Sequence, residues 1–141
     1  MLFHLGILLH GKVIIGLLFV VVVSLVIEMI WYHPKVLGKL WEKPVRKLDG
    51  GETIKGIVRN ALPILFLATI VACFVQRLEL TSVRQGVELG LMLWFGFILP
   101  IGINGLLFAD KSVKDILLSA VSYEFVQLAV MGALVVHFLA K

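Results

Sequence analysis

Two glutamates lie inside otherwise apolar stretches of the sequence and are the residues best placed to do chemistry. Glu28 shares one helical face with Ser24 and Tyr32, because the three are spaced four residues apart. A carboxyl group held among apolar side chains can load and release a proton or bind a cation. The alternative is that Glu28 simply reaches the membrane interface.

Glu124 lies deeper, about ten residues into the last apolar stretch, at a rise of about 1.5 Å per residue. Around it, Ser119, Tyr123 and Gln127 follow one another at spacings of four. Two interpretations stay open for Glu124. It is either a working carboxylate in a pathway or a strut that forms hydrogen bonds to a tyrosine or asparagine of a neighbouring helix.

Two asparagines extend this set, one near the start of the second apolar stretch and one near the end of the third. We expect all these groups to lie in one half of the membrane and to form a polar cluster. The candidate cluster consists of Glu28, Tyr32, Asn60, Asn104, Tyr123, Glu124 and Gln127.

The third apolar stretch contains a candidate hinge. Pro100 lacks an amide donor, and its ring clashes with the carbonyl of Gly96, which predicts a kink. Gly86-x-x-x-Gly90 is a small-residue motif typical of close helix packing. Packing is one interpretation of these glycines; a hinge that gates a cavity, or a freed carbonyl that binds an ion, is the other.

Other chemistry has little support in the sequence. The four histidines, at positions 4, 10, 33 and 137, show no ligand spacing diagnostic of a metal or haem. We find no Ser-His-Asp order, phosphate-binding loop or metalloprotease motif. We therefore expect no enzyme activity, no catalytic residue, no metal and no cofactor.

The elements that position these residues follow from composition. The chain has 141 residues, of which 60% are apolar and 16% charged, with a mean hydropathy of +1.06. A small water-soluble domain could not cover so much apolar surface. A single cysteine, Cys73, also excludes an internal disulfide. The composition predicts one membrane domain over residues 1–141.

Four apolar stretches are each long enough to cross about 30 Å of hydrocarbon. In lipid their backbone groups must bond internally, so they must be helices. We expect an all-α integral membrane protein whose four transmembrane helices form an antiparallel bundle. The predicted spans are residues 12–32, 57–76, 86–108 and 113–140.

Charge predicts the orientation of these spans. The net charge is +4, and nine of the 13 lysines and arginines lie on the side of the first and third loops. Positive loops favour the cytoplasm, so both termini are expected outside a prokaryotic inner or plasma membrane. The basic residues separate apolar spans, which indicates contact with anionic lipid rather than with nucleic acid.

The first loop has a pattern of its own. Over residues 35–48, apolar residues that include Leu37 and Trp41 fall on one half of a helical wheel, and charged residues fall on the other. This predicts an amphipathic helix in the plane of the interface, which Pro44 would bend. The alternative is a flexible basic loop.

Three blocks of residues resemble a known family. They are Trp31-Tyr32-x-Pro34 with Gly38-Lys39-x-Trp41, Gly96-Phe97-x-x-Pro100-x-x-x-Asn104-x-x-Leu107-Phe108, and Tyr123 with Gly132. In this order they resemble the small bacterial and archaeal membrane proteins called the domain of unknown function 1761 family. The resemblance covers nearly the whole chain after residue 12 and implies a four-helix membrane protein with no assigned activity. His33 and Ala109-Asp110-Lys111 depart from the pattern that the family leads us to expect.

These observations favour permeation or transport of a small solute, an ion or a proton by a homo-oligomer. Four helices enclose little volume, so a pathway would form between protomers or open where the third helix bends. The alternative is a membrane-embedded scaffold or assembly partner without turnover, which would bind through the glycine-rich third helix and the basic loop.

Overall fold

A computed structural model describes residues 11–33, 35–36, 54–108 and 120–139 of the chain. Within these ranges the protein is helical and contains no strand. The helices are α1 (Gly11–Trp31), α2 (Ile54–Arg77), α3 (Val83–Leu93), α4 (Leu99–Phe108) and α5 (Ala120–Leu139). A π-helical segment, Trp94–Ile98, joins α3 to α4. Most of the predicted interfacial helix, from residue 37 onward, lies outside the described residues, as does the start of the predicted fourth span.

Four helical stretches are long and apolar enough to cross a membrane. They are Gly11–Trp31, Val58–Arg77, Val83–Gly105 and Val121–Leu139. The first three lie within a few residues of the predicted spans, because uninterrupted apolar sequence leaves the backbone no polar partner except itself. The fold is therefore all-α with four candidate membrane spans.

Local sequence sets the tight connection between α2 and α3. Glu79 adopts a left-handed conformation with φ of 53°, which turns the chain after α2. Ser82 then caps α3: its hydroxyl accepts a hydrogen bond from the Gln85 N–H at 3.3 Å. The Gln85 side chain accepts one in return from the Ser82 N–H at 3.0 Å. This reciprocal cap satisfies amide groups that the helix itself leaves unpaired.

The core lies where α1, α2 and α3 pack around α5. It consists mainly of small and β-branched side chains, and its fully buried members include Val20, Ala68, Val71, Leu128 and Val136. In the fourth span 44% of the most apolar 18-residue segment is buried, against 17% of the corresponding segment in the third span. The last helix is thus the central element, while the third span keeps most of its surface exposed.

The closest helix contact joins α3 to α5 through glycines. A Cβ added at Gly86 would collide with the carbonyl oxygen of Gly132, and one at Gly132 would collide with that of Gly86. A Cβ at Gly90 would collide with the carbonyl oxygen of Leu128. The Gly86-x-x-x-Gly90 motif therefore packs backbone against backbone, which confirms its expected role in packing. Residue numbers rise along α3 as they fall along α5.

Candidate carboxylate site

The end of α1 supplies the first half of the site. Glu28 lies in the last turns of the helix, half-buried, and its backbone carbonyl accepts a hydrogen bond from the Tyr32 N–H at 3.0 Å. The chain then leaves the helix, with a further turn bond from the His33 N–H to the Ile30 carbonyl at 3.2 Å. Tyr32 thus stays one turn beyond Glu28, as their spacing predicts.

The start of α5 supplies the second half. Tyr123 is only 6% exposed, and its ring lies 5.5 Å from the ring of Tyr32 and 6.4 Å from that of Trp31. The buried Trp31 Nε1 has no hydrogen-bond partner among the described residues. These ring contacts hold the end of α1 against the start of α5.

This contact places the two glutamates at the same end of the packed helices. Glu124 follows Tyr123 and is half-buried, like Glu28, which lies one turn before Tyr32. Within the described ranges, no lysine or arginine forms an ion pair with either glutamate. An ion pair does join Arg84 to Glu88 at 2.9 Å, but both side chains are exposed and lie near the opposite end of α5. The two glutamates therefore have no basic partner among the described residues.

The other members of the predicted cluster lie at varying distances from this pair. Gln127 is 3% exposed and lies one turn beyond Tyr123 on α5. Asn60 is half-buried in the first half of α2, whereas Asn104 is exposed on α4. The structure brings Tyr32 and Tyr123 into contact, with Glu28 and Glu124 on the same helix ends, and it does not show Asn104 at this contact.

Trp94 is a further residue at the site, one that the sequence analysis did not single out. Its indole Nε1 donates a hydrogen bond to the carbonyl of Val121 at 2.6 Å. Its ring meets that of Phe125 edge-on, with centroids 5.1 Å apart. The sequence offered one indication that Trp94 packs against the last helix. Trp94 lies four residues after Gly90, which places it on the face of α3 that packs against α5.

The candidate hinge takes the form of the π-helical segment. The Leu99 N–H donates to the Trp94 carbonyl five residues earlier, which widens the helix just before Pro100. This wider turn accommodates the proline ring where an α-helical carbonyl of Gly96 would clash. Gly96 and Pro100 are both exposed, and a Cβ added at Gly96 would meet no atom within 4 Å.

The histidines and acidic residues are the candidates for a metal site in the described part of the chain. No group of three or more histidine, cysteine, aspartate or glutamate side chains is close enough there to hold a metal ion. His33 and His137 are exposed, and His33 accepts a hydrogen bond from the Lys35 N–H at 3.2 Å. His4 and His10 lie outside the described residues.

Several residues of the three blocks that resemble the family can be located in the structure. Trp31 and Tyr32 contact Tyr123, whereas Pro100 and Asn104 are exposed on α4. Pro34, Gly38 and Trp41 lie outside the described residues.

Comparison with known proteins gives one match. A family model described as a protein of unknown function, DUF1761, matches residues 15–136. No curated protein and no solved structure matches the chain.

Proposed function

The chain belongs to the DUF1761 family, whose function is unknown, and from that premise we propose that it binds a proton or small cation at Glu28 and Glu124 and conducts it across the membrane. The observation that carries this proposal is that two half-buried glutamates lie beside the ring contact that joins two different helices, without a described basic partner. The protein would act as a permeation or transport protein and not as an enzyme.

The physical reason is the cost of negative charge in a medium of low dielectric constant. An ionised carboxylate near the membrane interior costs a few kcal/mol unless it is paired or hydrated, and a second one nearby adds repulsion. A proton or cation shared between Glu28 and Glu124 removes that repulsion. Release of the proton or cation to the other side of the membrane would then restore the repulsion. Binding and release together form the cycle that conduction requires.

A homo-oligomer would complete the pathway. Among the described residues, the crevice between α1 and α5 is apolar, lined by Val13, Gly16, Leu17, Val135, Phe138 and Leu139, and it offers an ion no polar group. The third span keeps large apolar side chains exposed, among them Met92, Phe95 and Ile101. A second copy packed on this face would enclose a path beside the carboxylates that one protomer does not enclose.

The proposed topology in the membrane is the one predicted from the sequence. The protein would form an antiparallel bundle in a prokaryotic inner or plasma membrane, with both termini outside. The basic first loop would lie on anionic lipid through an in-plane helix over residues 35–48. The carboxylate pair would then lie in the cytoplasmic half.

Proton flux into proteoliposomes tests the proposal. An imposed pH gradient should dissipate through the wild-type protein. Glu124→Gln should reduce the rate at least about tenfold, because a side chain positioned to transfer a proton typically speeds that transfer by about two orders of magnitude or more. Glu28→Gln should also reduce it. Glu88→Gln is the matched control, because Glu88 is exposed and paired with Arg84, and it should keep the wild-type rate. A rate equal to that of protein-free vesicles, for protons and for monovalent cations, would refute the proposal.

The second candidate is a scaffold without turnover, and the exposed apolar face of the third span favours it. Lipid-accessible bulky side chains can also bind the helix of another protein. Absence of flux, together with a heterologous protein crosslinked to this face in native membrane, would support the scaffold and contradict conduction.

A further inference from the structure

One face of α3 changes from very small to very large side chains along its length. Gly86, Gly90 and Trp94 are spaced four residues apart and therefore share this face. At the two glycines the backbones of α3 and α5 touch. At Trp94 an indole fills the space between the helices instead. Along this face the contact with α5 therefore changes from backbone against backbone to a side chain against the helix.

The indole is fixed by two contacts with α5. Its Nε1 donates to the Val121 carbonyl at 2.6 Å, and its ring meets Phe125 nearly at right angles, at 83°. The Val121 carbonyl can accept this bond in addition to a helical one, because a carbonyl oxygen has two lone pairs. Val121 precedes Glu124 by three residues and Phe125 follows it directly. The two residues that the indole contacts therefore flank Glu124 in the sequence.

The helix α4 adds a second contact to Val121. A Cβ at Gly102, on α4, would lie 2.6 Å from Cγ2 of Val121, so the side chain of Val121 packs directly against that glycine. Trp94 begins the π-helical segment and Gly102 follows it. Residues on both sides of the widened turn thus contact Val121, one at its carbonyl and the other at its side chain.

We propose that Trp94 is a positioning residue for Glu124. Its indole fixes the rotation of the first described turns of α5, and that rotation determines where the Glu124 carboxylate lies relative to Glu28. This inference rests on the proposed function, because the carboxylate pair is the site that Trp94 adjusts. Trp94 itself touches neither carboxylate in the contacts described above.

Carbon-13 NMR of the protein labelled at glutamate carboxyl carbons tests the inference. Trp94→Phe keeps a ring beside Phe125 but removes the N–H donor. We expect the Glu124 resonance, assigned from Glu124→Gln, to move while that of Glu88 stays in place as an internal reference. Phe97→Leu is the matched control, since Phe97 is an exposed residue of the same π-helical segment, and it should move neither resonance.

A second variant keeps the inference testable if Trp94→Phe does not fold. Gly102→Ala leaves the indole intact but presses on Val121, and it should move the same Glu124 resonance. In vesicles we expect Trp94→Phe to lower flux about fivefold, the factor that one net hydrogen bond is worth. An unmoved Glu124 resonance in folded Trp94→Phe and Gly102→Ala would overturn the inference. Wild-type protein without flux but with the shifted resonance in these variants would instead refute only the proposed function.

Discussion

At the scale of single residues, the two tyrosines hold together the helices that carry the two glutamates. Tyr123 is buried, and its ring contact with Tyr32 ties the start of α5 to the end of α1. Glu124 is adjacent to one tyrosine and Glu28 is one turn from the other, so the ring contact places both acids at the same end of the helix pair. Aromatic pairs of this kind contribute about 0.5–1.5 kcal/mol beyond the burial of their area.

The size and polarity of Glu124 should matter differently for stability and for activity. Glu124→Gln keeps the volume and two polar ends of the side chain, so we expect its thermal unfolding in detergent to match that of the wild type. Glu124→Leu removes every hydrogen-bonding group and should destabilise the fold by about 1–3 kcal/mol if buried partners are left unpaired. Circular dichroism melts measure both variants. Equal stability of Glu124→Leu and the wild type would show that Glu124 supports no neighbour.

Spacing alone predicts part of this site. The sequence places Ser24, Glu28 and Tyr32 on one helical face. In the structure Ser24 and Glu28 lie in α1, and Tyr32, just beyond it, continues the helical spacing through its N–H bond to the Glu28 carbonyl. The sequence also places Tyr123 and Gln127 on one face of the last helix. Neither pattern predicts which helices contact each other, because apolar spans carry little information on their partners. For the same reason the sequence did not predict that Asn104, which was expected in the cluster, would be exposed.

At the scale of elements, the contact between α3 and α5 is the one that the sequence describes best. Gly86, Gly90 and Gly132 exclude side chains from the interface, so dispersion forces act between the backbones themselves. Trp94 continues the same face, but neither a glycine motif nor a count of charges points to an indole hydrogen bond. The π-helical segment likewise lies beyond a simple prediction, since Pro100 predicts a distortion without specifying its form.

Alanine at the glycine contact should separate the two helices. Gly90→Ala would drive a Cβ into the carbonyl of Leu128, and we expect a loss of about 2 kcal/mol in the free energy of unfolding. Gly105→Ala is the matched control, because a Cβ there meets no atom within 4 Å, and alanine is the better helix former. Unfolding by a denaturing detergent compares them. A Gly90→Ala variant as stable as Gly105→Ala would contradict the close contact.

At the scale of the whole molecule, the described residues define two distinct ends. One end carries Glu28, Tyr32 and the start of α5, together with the exposed Lys35 and Arg59. The other carries the α2–α3 turn, with Arg77 and Arg84. Most of the basic residues of the sequence lie in the first and third loops and at their borders. Loops rich in lysine and arginine stay on the cytoplasmic side during insertion, so the charge distribution predicts that the carboxylate end faces the cytoplasm.

Cysteine labelling in intact cells tests this orientation. In a Cys73→Ser background, Thr81→Cys places a thiol in the exposed α2–α3 turn, and Lys35→Cys places one just beyond α1. A membrane-impermeant maleimide should label position 81 from outside, whereas position 35 should react only after the membrane is opened. Neither substitution touches a buried residue, so the difference in labelling reports sidedness rather than folding. Labelling of position 35 alone from outside would invert the topology, and equal labelling of both would indicate that the chain inserts in two orientations.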